Sequence, residues 1–198
     1  MSDHKYTSSQ ACTNVDPGDI ECRVAELLRL LRFDLENPHM RETPRRVARY
    51  LTRIASGLPE PRVTFFENDD PRVDQMVVVR NIRFWAPCPH HLLPYHGVAI
   101  VGYLPSRYII GKSKVAQVVR WIASWPVVQE VLTEQVAEWF TENLQPLGVG
   151  VHIRAVHTCE MISGGADVPP LCTTALKGVF LANPLAREEF LKEVHRVS

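Results

Sequence analysis

No apolar run in the chain approaches the ~20 residues that a membrane-spanning helix needs. Net charge is also missing, since 22 basic residues balance 22 acidic ones. That balance gives no electrostatic reason to expect nucleic acid, a membrane surface or a polyanionic partner. Cysteine is sparse: five in 198 residues, odd in number and widely spaced, which excludes a disulfide framework. Residues 1–10 are polar and lack the hydrophobic core of a signal peptide. Together these features predict a cytoplasmic protein whose thiols stay reduced. What is present is a globular composition, 45% hydrophobic, on a chain long enough for a sizeable core.

Local patterns divide the chain. Residues 1–17 are polar and Ser/Thr-rich, and are expected to be flexible. A helical region is expected over 18–72: one helix from Ile20 to Leu35, with Val24, Leu27, Leu28, Leu31 and Leu35 at helical spacing, and a second opened by Thr43 as N-cap with Pro44. Residues 59–71 read as loop. From 73 to 198 the pattern is strands at about 74–85 and 97–104, a short one near 108–111, and two helices over 113–144. Strands at about 149–157 and 173–181 follow, with a last helix over 185–195. This order predicts an α+β domain with an antiparallel sheet and helices on one face.

The chemistry concentrates at two strand ends. Val77 to Trp85 is rich in β-branched and aromatic residues and is stopped by Pro87 and Pro89, so Cys88, His90 and His91 sit on a loop just past a strand. His152 to His157 alternates as a second strand and delivers Cys159. Two thiols and one imidazole are the ligand inventory of a catalytic zinc, which typically takes three protein ligands and leaves a position open. Cys88, His91 and Cys159 would hold the metal, leaving His90 and His157 beside it to move protons. Spacing alone leaves a second reading open, a core cysteine next to turn histidines. Two strand ends converging on one point favour the metal, and with it metal-assisted hydrolysis.

Four segments, in order, resemble the signatures of GTP cyclohydrolase I. They are Cys88-Pro89-His90-His91-Leu92-Leu93-Pro94-Tyr95-His96-Gly97, Ile110-Gly111-Lys112-Ser113-Lys114, Val128-Gln129-Glu130-Val131-Leu132-Thr133 and His157-Thr158-Cys159. The likeness runs from about Pro38 to Phe190. It implies the tunnelling fold over 73–198, whose sheets join into a barrel in a homodecamer of two pentamers, with active sites between subunits. It also implies zinc on Cys88, His91 and Cys159, with His90 and His157 as catalytic residues. Gln129 and Glu130 would grip the guanine edge, and Ser113, Lys114, Arg46 and Arg49 the triphosphate. The implied reaction opens the imidazole ring of GTP, releases formate and ends in dihydroneopterin triphosphate. No nucleic acid or membrane partner is expected.

The chain departs from that pattern around the phosphates. The family usually has arginine where this sequence has Gln117 and Ser163, glutamate where it has Pro89, and an apolar residue where it has Lys112. Val131 likewise replaces an arginine common after Gln-Glu. Two further readings follow: a paralogue acting on a less phosphorylated guanine compound, or a non-catalytic zinc-stabilised subunit that binds nucleotide or a partner.

Overall fold

A computed structural model of the chain describes residues 16–164 and 167–196. They fall into two units that divide between Leu58 and Pro59. Residues 1–15 of the segment expected to be flexible lie outside the described residues.

The first unit is a helix pair, α1 (Pro17–Leu30) and α2 (Thr43–Ser56). Asp16 caps α1 by accepting from the Gly18 N–H at 2.8 Å. The helix was expected to reach Leu35 and stops five residues earlier. Arg32 turns left-handed at φ 62°, the Phe33 N–H donates to Leu28 O and the Arg32 N–H donates to Arg29 O. These bonds satisfy the last carbonyls without the glycine that usually marks such an end. In α2 the cap position falls on Glu42, with Thr43 already helical and Pro44 among the first helical residues.

The second unit is built on a four-stranded antiparallel sheet in the order β2-β3-β5-β6. Its strands are β2 (Val77–Pro87), β3 (Pro94–Leu104), β5 (Gly148–His157) and β6 (Leu171–Gly178). A separate ribbon pairs β1 (Phe65–Glu67), inside the stretch expected to be loop, with β4 (Tyr108–Ile110). Between Val79 and Ile82 the β2–β3 ladder slips by a bulge where Asn81 adopts φ 56°. Gly97 is required opposite Ala155, because a side chain there would meet Arg154 O at 2.0 Å.

Two helices, α3 (Lys112–Ile122) and α4 (Gln129–Leu144), cover one face. Val115, Val118, Val119, Leu132, Val136 and Phe140 join Phe84, Tyr95, Val101 and Ile153 in the main core. The expectation of helices on one face only is corrected here. Helix α7 (Pro184–His195) packs a second cluster on the opposite face, where Phe190 and Val194 meet Ile100, Val78 and Leu176. Gly102 and Gly150 pair across β3 and β5, and both lie against the Phe190 ring, where a side chain at either would collide with it. Strand β6 also ends earlier than expected: Gly178, at φ 57°, turns the chain into the short helix α6 (Val179–Ala182).

Candidate metal and active site

Cys88 is the first residue of the loop that closes the β2–β3 hairpin. Its N–H donates to Leu93 O and its carbonyl accepts from the Leu92 N–H, both at 2.8 Å, with Leu92 left-handed at φ 56°. The loop is therefore a single helical turn with Pro89 at its start, where a proline lacks nothing the turn requires. The turn leaves Cys88 buried and sets His90 and His91 at the surface. Their Nδ1 atoms lie 3.7 and 3.9 Å from Cys88 Sγ.

Cys159 arrives differently from the sequence expectation. It is the second residue of a short helix, α5 (Thr158–Ile162), which begins as β5 ends. Thr158 anchors that start, its hydroxyl donating to Pro94 O across the sheet. The ligand atoms of Cys88, His91 and Cys159 lie within 4.8 Å of one another. A tetrahedral zinc, with Zn–S of about 2.3 Å and Zn–N of about 2.0 Å, spaces such atoms about 3.5–3.8 Å apart, so the donor set fits with small side-chain adjustments. The electrostatics also call for a cation. Burial pushes the Cys159 thiol up, the neighbouring Cys88 sulfur pushes it further, and the N–H groups of Cys159 and Glu160 only partly offset this.

His157 ends β5 directly opposite Tyr95 in the β3–β5 ladder. The two rings stack at 4.5 Å with 3° between planes, and the fully buried Tyr95 donates its hydroxyl to Val127 O at 3.1 Å. On its edge, His157 Nε2 meets Gln129 Oε1 at 3.0 Å. Burial holds the imidazole below its ordinary 6.5, while the carboxylates of Glu160 and Glu130 act in the opposite sense. A neutral imidazole that titrates below neutrality suits proton transfer.

The other expected residues are placed less closely. Gln129, at the start of α4, is fully buried with its amide wholly engaged by the protein, whereas Glu130 is exposed in the same turn. Ser113 is exposed at the start of α3 and Lys114 is half-buried, its Nζ donating to Gln117 Oε1 at 3.2 Å. Ser163 turns its hydroxyl onto Cys159 O at 2.8 Å. Arg46 and Arg49 are exposed on α2, in the first unit. Sequence reasoning missed Tyr95 and Thr173, which support His157 and Gln129. Their only signal was alternation on strands that deliver site residues.

The family model for GTP cyclohydrolase I matches residues 20–195. GTP cyclohydrolase 1 of Shewanella loihica is 42% identical over 177 residues, covering 87% of this chain and 82% of that protein. The enzyme of the same name from Shewanella amazonensis is 41% identical over 179 residues, covering 88% and 82%. Among solved structures, archaeosine synthase QueF-Like in the apo form covers 52% of this chain and 93% of its own at 16% identity, with a TM-score of 0.43. That last likeness is too slight to add anything. The match along nearly the whole chain, with the site residues inside it, means that the chain belongs to the GTP cyclohydrolase I family and is an enzyme of that family.

Proposed function

We propose that the protein is a zinc-dependent hydrolase that opens the imidazole ring of the guanine of GTP, releases formate and leads to a dihydroneopterin-type pterin. The observation that carries this reading is the convergence of Cys88, His91 and Cys159 beside the supported imidazole of His157. Cys88, His91 and Cys159 hold the zinc. When bound, the ion supplies Lewis acidity and brings a water's pKa to about 7, so that a nucleophile is available at neutral pH. His157 and His90 take and return the protons that ring opening moves, from positions next to the ligands. Glu130, exposed and close enough to His157 to act on its charge, accepts from the guanine edge. Ser113, Lys114, Arg46 and Arg49 hold the phosphates. The working form is a homo-oligomer, a decamer of two pentamers with sites between subunits, in the cytoplasm.

The test is direct. Zinc-loaded protein given GTP should release formate and build pterin fluorescence together. Formate without fluorescence would confine the activity to ring opening, and neither product with zinc bound would overturn the proposal.

A second reading has its own support. At the two positions where the resemblance leads one to expect arginine, Gln117 accepts from Lys114 and Ser163 donates to Cys159 O. Neither side chain is left to reach a phosphate. Each charge-assisted contact contributes about 1.5–3 kcal/mol, so a substrate with fewer phosphates is the natural alternative.

A further inference from the structure

Gln129 was expected to face the substrate, yet it is fully buried and makes four polar contacts within the chain. Its Nε2 lies 3.2 Å from Ile153 O, 3.0 Å from Leu171 O and 3.1 Å from Thr173 Oγ1. Main-chain carbonyls only accept, so the amide nitrogen must face them and the amide oxygen must face the other way. A flipped amide would set three oxygens together without a proton between them, in a buried place where that is costly.

Two threonines fix the backbone end of the same residue. Thr133 donates its hydroxyl to Gln129 O at 2.8 Å, and Thr133 and Thr173 hydroxyls lie 2.6 Å apart. With the Thr133 proton already used, Thr173 is the donor of that pair and its oxygen is free to accept from Gln129 Nε2. The bonds close into a ring: Gln129 amide to Thr173, Thr173 to Thr133, Thr133 to the Gln129 carbonyl. Strand β6 and helix α4 thus hold the amide in one orientation.

The consequence falls on His157. Gln129 Oε1 faces His157 Nε2 at 3.0 Å and accepts only, so the proton between them belongs to the imidazole. We propose that Gln129 is a positioning residue that holds neutral His157 as the Nε2–H tautomer, leaving Nδ1 as the ring nitrogen that exchanges protons with the substrate. Turning the ring over would place carbon against Oε1 and lose the bond, while Tyr95 keeps the ring plane by stacking on it. This deepens the proposed function and rests on His157 moving protons.

The test reads the tautomer itself. Zinc-loaded, full-length protein carrying [15Nδ1]histidine would be compared by solid-state NMR with its His157→Asn variant, at a pH where imidazoles are neutral. The difference signal is expected to be a nitrogen with no bonded hydrogen; a protonated Nδ1 would overturn the assignment. In Gln129→Leu the protonated form is expected to appear, and kcat for formate release to fall about 10- to 100-fold with KM within about threefold. A raised KM with unchanged kcat would instead make Gln129 a substrate ligand and overturn the proposal. If that variant does not fold, the wild-type spectrum still decides. Full formate release by His157→Ala would remove the catalytic consequence, and the spectrum would then separate a failed tautomer from a failed role.

Discussion

The site around Cys88 and Cys159 and the cations expected to meet phosphate are built in opposite ways. In the first, every side chain is fixed by main-chain geometry: a helical turn closes on Cys88, a hydroxyl pins the start of α5, and the strand register stacks Tyr95 on His157. In the second, Ser113 stands exposed on a helix end, Lys114 leans on Gln117, and Arg46 and Arg49 are exposed on a helix of the other unit. Preorganisation costs nothing at the moment of reaction, so the reacting centre benefits most from rigid elements. A phosphate hold made of long exposed side chains is easier to retune by single substitutions. The departures of this chain follow that division: Gln117, Ser163 and Lys112 change the hold, while both thiols and all the site imidazoles are kept.

The comparison breaks most readily at the metal. Cys88→Ser or Cys159→Ser is expected to lower bound zinc and reduce formate release at least about a thousandfold; elemental analysis and a formate assay read both. Retained zinc and activity would mean that the cluster is not the metal site. Next comes His157→Ala, expected to lower kcat by about 10²–10⁴ while zinc content is unchanged. A variant that lost zinc as well would place His157 among the ligands.

On the phosphate side the effects are smaller. Lys114→Ala is expected to raise KM for GTP about 10- to 100-fold, the equivalent of one charge-assisted contact, and to leave turnover of guanosine unchanged. An equal loss on both substrates would assign Lys114 to structure. The pair Gln117→Arg with Ser163→Arg is expected to improve kcat/KM for GTP; no gain would show that these positions do not limit the hold.

The smallest expected effect lies away from both regions. His152 bonds Thr174 Oγ1 at 2.9 Å, and burial, then the nearby His195, hold its pKa below 6.5. A histidine lowered on folding binds more protons unfolded, so its contribution is complete above pH 6.5 and is lost as pH falls through the lowered value. His152→Asn should flatten the dependence of thermal stability on pH in that acid window, and an unchanged slope would remove His152 from the account.

Much of this was legible in the sequence because it is local. The strand before Cys88, the proline stops and the alternation from His152 to His157 fix where the ligands emerge, and the sheet order follows from hairpin connections. The misses are set by tertiary contacts. Helix α1 ends on a left-handed arginine that no propensity marks, and α7 chooses its face because two paired glycines leave room for Phe190. Gln129 has the look of a ligand by motif alone; its burial depends on carbonyls from β5 and β6 that only the folded sheet brings together.

The most direct test is formate release by zinc-loaded protein across GTP, GDP, GMP and guanosine. The account predicts formate from GTP, with kcat/KM declining less than about a hundredfold down the series, because the reacting centre is complete and the phosphate hold is weak. Formate from none of the four, with one zinc bound per chain, would contradict it.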